Sequence, residues 1–335
     1  MAFCVLATLP GCGFGYYARL AFEQGRFLSR AKPIEALIAA SNDEQRRARL
    51  QLVLDVRRFA ADHGLDPGGS YRTVSDVTGL AVAHVVTAAY RDRLEAYQWH
   101  YPFVGEIPYR GYFDAARAEA VATDLRKRGY DTLVVRAAAY STLGWFDDPL
   151  PSSLLERDPV TLASTVLHEL SHQRLFVRDH IAFNETFANA VGMRLATAFF
   201  QSRADAKHAD LAAQRYKVWL ERSDFYDDLA GKLENYFRTS RDQGLSASQL
   251  LAGRATLYEQ AQRRYRALGL ASPFDRDFSR GVVDNARFLA LYRYAKHAVA
   301  FDRFFASFDD MPSALDTLSR RVKENDDPFA ALALQ

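Results

Sequence analysis

Apolar and polar residues alternate on two different periods in the two halves of the chain. Pro33 to about His63 reads as one or two amphipathic helices, which Asp66-Pro67-Gly68-Gly69-Ser70 ends. Short apolar runs follow. Ala81 to Tyr90, with Val82, Val85 and Val86, then Tyr97 to Val104 and Thr132 to Tyr140, read as strands, and Asp114 to Arg128 reads as a helix between the last two. From Pro159 onward the pattern is helical nearly to the end, with breaks expected at Gly231, Gly244, Gly269 to Pro273, and Pro312. No tandem repeat or low-complexity tract interrupts it. The expected class is α+β, one unit from residue 13 to 335 with two lobes, a β-containing front over roughly 13–157 and a helical back over 158–335.

The junction between the halves carries the chemistry. Asp158-Pro159 is a helix start, with Asp as cap and Pro in the first turn, and Val160, Leu162, Val166, Leu167 and Leu170 give the helix a buried side. His168-Glu169-Leu170-Ser171-His172 falls on it. Residues four apart share a helix face, so His168 and His172 can both aim an imidazole at one ion, with Glu169 beside it as a base for water. A second helix is expected to open near Asn184 and run through Phe187, Val191, Met193 and Leu195, placing Glu185 in its first turn as a third ligand. The loop Val177-Arg178-Asp179-His180-Ile181-Ala182 is long enough to reverse the chain, and its His180 is the rival third ligand. Asn189, four residues after Glu185, can orient a ligand histidine or stand on the surface. Taken singly, each residue could be an ordinary polar residue of a half-buried helix. Together, in an apolar stretch, one shared Zn²⁺ would satisfy charges that are costly to bury unpaired.

With these motifs the chain resembles the predicted zinc aminopeptidases of Gram-negative bacteria, many of which carry a lipoprotein signal. The resemblance rests on Gly15-Tyr16-Tyr17, Pro108-Tyr109-Arg110-Gly111-Tyr112-Phe113, Tyr140 to Pro149, His168 to Arg174, and Phe183-Asn184-Glu185, and it covers nearly the whole chain. It implies a zincin-like fold of the gluzincin type, with two His and one Glu on a single zinc ion. In the family, cysteines often flank the Trp-x-x-Pro-x-x-Gly stretch. Here His100 and Glu106 stand there, so that disulfide is not expected.

Composition adds bounds rather than identity. A chain that is 49% hydrophobic can fill a large core, and a net charge of +2 gives no electrostatic case for a nucleic-acid partner. Cysteine placement says more. Cys4 and Cys12 both lie at the start, and Leu9-Pro10-Gly11-Cys12 after an apolar run looks like a lipobox, in which Cys12 would be acylated and become the mature N-terminus. Residues 1–12 would then be a signal, abnormally short and without a basic residue, so its true start is expected upstream; the other reading is a buried segment. Gly13 after the cysteine favours a periplasm-facing outer-membrane anchor over an inner-membrane one.

Further site residues are read from position. Arg136 to Phe146 ends a strand ahead of His168, where an extended peptide could add by strand pairing, with Tyr140, Ser141 and Trp145 lining the cleft; Trp145 and Phe146 read equally well as core aromatics. The donor for a tetrahedral oxyanion is expected to be Tyr294 or Tyr140. Removing single residues from a peptide's free amino end would also need an acidic anchor, for which Glu106, Asp147 and Asp148 are the available carboxylates. Three readings stand at this point: a zinc aminopeptidase or oligopeptidase, an envelope endopeptidase, and a lipoprotein that uses the fold as a binding scaffold. Glu169 binds no metal in this scheme, so its presence argues for chemistry over a scaffold.

Overall fold

A computed structural model describes residues 22, 24–78, 83–101, 105–137, 147–270 and 276–333. The element order is β1 (Ala31–Pro33), α1 (Ile34–Ala40), α2 (Glu44–Asp62), β2 (Thr73–Ser75), β3 (Ala83–Tyr90), β4 (Trp99–Tyr101), β5 (Gly105–Ile107), β6 (Arg110–Tyr112), α3 (Ala115–Lys127), β7 (Tyr130–Ala137) and β8 (Leu150–Pro151). The helices α4 (Pro159–Arg174), α5 (Ile181–Ser202), α6 (Ala206–Asp242), α7 (Ala247–Ala267), α8 (Asn285–Tyr292), α9 (Ala298–Ala306) and α10 (Met311–Arg321) follow. The protein is thus α+β, with small sheets and a dominant helical part.

The strands form three small sheets. One has the order β6-β3-β7, antiparallel throughout, with β3 running beside β7 from Ala83↔Ala137 to Tyr90↔Tyr130. A second has the order β1-β2-β8, and β4 pairs with β5 as a hairpin. Helix α3, capped by the Asp114 carboxylate, covers the first sheet, and Val86, Ala88, Trp99, Tyr112, Ala118, Ala122 and Leu125 make a small core of their own. The large core gathers Ile34, Leu50, Val53 and Val56 of α1 and α2 together with the apolar faces of the helices from α4 onward. The interior therefore divides between sheet and helices, and the N-terminal helices side with the helical back.

A polar clasp ties sheet to helices. The Arg254 guanidinium of α7 donates to both Asp131 carboxylate oxygens, at 2.5 and 3.3 Å, and Asn285 Nδ2 donates to the Tyr90 carbonyl at 2.8 Å. Tyr258 completes it by donating to Asn285 Oδ1. A buried carboxylate and guanidinium left apart would be costly, so the clasp fixes how the β3–β7 ribbon meets α7 and α8.

Several expected boundaries move. Gly231 does not break a helix: α6 runs straight through it, because Trp219, Phe225, Tyr226, Leu229, Leu233 and Phe237 bury one face on both sides. That packing outweighs a glycine penalty of about 1 kcal/mol. Gly244 and Gly269, both in the left-handed region, do end α6 and α7. The strand expected at 97–104 is three residues long where described, and β7 opens at Tyr130 rather than Thr132. Among the described residues, no helix is long and apolar enough to cross a membrane.

Candidate metal centre

Helix α4 begins where the sequence places it, with Asp158 Oδ1 accepting from Thr161 N and Pro159 in the first turn. Its buried residues include Val160, Leu162, Val166, Leu167 and Leu170, which turn His168 and His172 toward α5. That second helix opens at Ile181, nearly a turn before the expected start at Asn184, so Glu185 lies in its second turn. Asn184 acts earlier in the chain instead. Its side chain accepts from Val177 N at 2.8 Å and donates to Val177 O at 2.7 Å, which pins the reversing loop.

One glycine sets the spacing of the two helices. A Cβ on Gly192 would sit 2.8 Å from the Ser164 carbonyl oxygen and 2.9 Å from the His168 backbone nitrogen. Only a residue without Cβ lets α5 come this close to α4 at the level of the first histidine.

The result is a compact donor set. His172 Nε2 lies 3.2 Å from His168 Nε2, and Glu185 Oε2 lies 3.5 Å from His168 Nε2 and 3.9 Å from His172 Nε2. His168, His172 and Glu185 form the group among the described residues able to hold a metal ion, while His180, the rival ligand, precedes α5 outside it. A tetrahedral ion with bonds of about 2.0–2.1 Å spaces its ligand atoms roughly 3.3–3.4 Å apart, near the 3.2 and 3.5 Å spacings here and below the 3.9 Å one. Protonation supports it. His168 Nδ1 lies 2.9 Å from Asn189 Oδ1, and Asn189 Nδ2 donates to the Tyr294 carbonyl at 2.9 Å. The second bond fixes which end of the amide is oxygen, so His168 donates from Nδ1 and its Nε2 lone pair faces the other donors. His172 Nε2, 3.2 Å away, faces the same space, so the group could hold a cation between them.

Electrostatics agrees. Burial, then the neighbouring His168, pulls the His172 imidazole down to about 4, leaving it neutral and able to ligate at physiological pH. Burial alone would raise Glu185, but the hydrogen bond and charge of His168, then His172 and Arg293, hold it below the usual carboxylate range. For His168, burial is outweighed by the Glu185 hydrogen bond and the charges of Glu169 and Glu185, and its value rises.

Glu169 is half-buried next to the group, and its charge is felt by Tyr71, Tyr109 and Tyr294. Tyr294, an expected oxyanion donor, lies just beyond α8. It is surrounded by protein yet 41% exposed, as a residue lining a recess open to solvent would be. Burial, then Glu185, keeps its hydroxyl protonated. Tyr140, Ser141, Trp145 and Cys12 lie outside the described residues. Of the three candidate anchors, Glu106 is exposed and Asp147 is taken up with Gly69 N, whereas Asp148 is buried and its charge reaches Tyr71.

A family model described as "putative aminopeptidase" matches residues 15–326. The chain belongs to this family. No curated protein and no solved structure gives a significant match. Membership of the aminopeptidase family makes peptide the substrate class that the centre has to accommodate.

Four residues beside the centre, Tyr71, Ser70, Tyr109 and Arg293, were given no role from sequence. Tyr71 sits in a left-handed turn (φ 57°), buried, its nitrogen bonded to the Asp148 carbonyl at 2.8 Å. Ser70 beside it accepts from Gln173, one turn after Glu169 on α4, at 2.8 Å. Tyr109 directly precedes edge strand β6, and Arg293 stands 5.1 Å from its ring. The stretch from Pro108 to Phe113 marked Tyr109 as part of a motif, but nothing local gave it a role. A separate recess of about 590 Å³, lined by Arg30, Lys32, Arg46, Arg49, Asp76 and Glu156 among others, contains none of the ligand residues. Its mixed charges suggest no chemistry.

Proposed function

We propose that the chain is a zinc-dependent aminopeptidase acting on peptides in the cell envelope. The observation that carries this reading is the packed His168, His172 and Glu185 donor set with Glu169 beside it, in a chain of the aminopeptidase family. His168, His172 and Glu185 would hold the zinc, which when bound supplies Lewis acidity, acidifying water toward neutrality and polarising a carbonyl. Glu169 accepts the proton of the attacking water and returns it to the leaving amine. Tyr294, protonated at physiological pH, donates to the developing oxyanion, and Asn189 holds both the His168 ring and the Tyr294 backbone in place. Asp148 is the carboxylate this reading assigns to the substrate's ammonium group. Attachment through a lipid on Cys12, facing the periplasm, belongs to the same proposal and rests on the lipobox pattern.

The test is zinc content together with hydrolysis of unblocked and N-acetylated peptides by the wild type and Glu169→Gln. Cleavage confined to unblocked peptides, lost in Glu169→Gln with one zinc retained, supports the reading. Cleavage of blocked peptides would make the protein an endopeptidase, and zinc without turnover of either set would make it a binding scaffold.

A further inference from the structure

Arg293 is 8% exposed and adjoins the metal centre, yet among the described residues no hydrogen bond or ion pair reaches its guanidinium. Its neighbour is the Tyr109 ring, 5.1 Å from Cζ. Its backbone is fixed on both sides: the carbonyl accepts from Thr186 of α5, and the next residue's carbonyl accepts from Asn189 and Trp219. Its charge helps hold Glu185 ionised, but among the described residues the Glu185 carboxylate pairs directly with His168 and His172 and not with Arg293, so the fork itself is not taken up there. A guanidinium presents five donors in a planar fork, and one set beside an open recess can meet an incoming anion with two of them. Tyr109 and Tyr294 flank it as neutral phenols, the first pushed up to about 12 by burial and then by Glu185. Arg293, Tyr109 and Tyr294 thus form a donor-rich wall beside the centre.

We propose that Arg293, flanked by Tyr109, is a carboxylate-binding subsite beside the metal centre, so that the preferred peptides carry a carboxylate close to the scissile bond. The geometry of a guanidinium fork suits a carboxylate bidentately. Two sources supply that group, the terminal carboxylate of a dipeptide or an acidic side chain next to the cleaved bond. The inference rests on the peptidase reading for its substrate class, and the test separates the two.

The zinc-loaded full chain is assayed on alanyl-alanine against alanyl-alanine amide, and on alanyl-glutamate amide against alanyl-glutamine amide. The wild type is expected to show a KM about tenfold or more lower for the charged member of at least one pair, the size of a charge-assisted hydrogen bond. The first pair reports the terminal carboxylate and the second the side chain. Arg293→Gln should collapse that ratio to near one, and Arg293→Lys, which keeps the charge but not the fork, should leave part of it. The same pairs are titrated calorimetrically into Glu169→Gln and into Glu169→Gln with Arg293→Gln, which reads the subsite without turnover. Tighter binding of the charged member that disappears with Arg293 supports the proposal even if no peptide is hydrolysed and the peptidase reading fails. Equal KM and equal or absent binding within both pairs, or a ratio that survives Arg293→Gln, overturns it.

Discussion

His168, His172, Glu185 and Asn189 come from two consecutive helices that touch where Gly192 meets Ser164 and His168. Tyr71, Tyr109, Arg293 and Tyr294 come from a left-handed turn, the approach to an edge strand and the segment after α8. The first group is held by intrahelical hydrogen bonds and close packing. The second is held by single tertiary contacts such as Tyr71 N to Asp148 O and Trp219 Nε1 to Tyr294 O. A metal site needs ligand positions fixed within tenths of an ångström, which helix pairs deliver, whereas a substrate wall must admit and release a ligand. Damage to the first half should therefore show as lost metal, and damage to the second as lost turnover with metal retained.

The largest expected effect falls on the ligand half. Glu185→Ala should lower zinc affinity beyond the roughly 10–100-fold typical of losing a hydrogen-bonded support; affinity unchanged in a competition titration would move the third ligand elsewhere. On the other side, Tyr294→Phe should reduce kcat by about 10²–10³ at full zinc occupancy. An unaltered kcat would pass the donor role to Tyr109 or Tyr140. Asn189→Ala touches both halves, and its zinc affinity should drop about 10–100-fold, measured with a chelator series. Gly192→Ala should cost about 1–3 kcal/mol in denaturant unfolding, because the added methyl meets backbone rather than a movable side chain.

The smallest effect lies at the start of α4. Burial would raise the Asp158 carboxyl, but Arg215 and Thr161 outweigh it and hold the group at about 2. A value depressed below the ordinary ~3.9 stabilises the fold above that pH and is lost as pH falls toward the folded value. Asp158→Ala should therefore cost about 1 kcal/mol at neutral pH, with the gap to wild type closing in melts taken below about pH 4.

The legible part of the centre coincides with its helical half. Four-residue spacing, the Asp158-Pro159 start and the apolar face of α4 are local properties, and they place His168 and His172 on one face without knowledge of the rest of the chain. Glu185 needed one further step, a reversing loop, and the start of α5 was misplaced because Asn184 looks like a cap while its side chain serves the Val177 backbone. Gly192 carried no signal, since a glycine inside a helical pattern does not reveal what approaches it. Arg293 and Tyr71 were hidden for the same reason: their surroundings come from distant segments. The misplaced break at Gly231 shows the converse, where a local propensity yielded to packing along α6.

The Asn189 amide accepts from His168 at one end and donates to the Tyr294 carbonyl at the other. In the language of linked equilibria it is a coupler. A peptide that shifts the 293–294 segment alters the hold on the imidazole, and reciprocity requires the metal to change peptide affinity by the same factor. Cofactor retention and substrate grip then share a coupling term, which replacing that amide would remove.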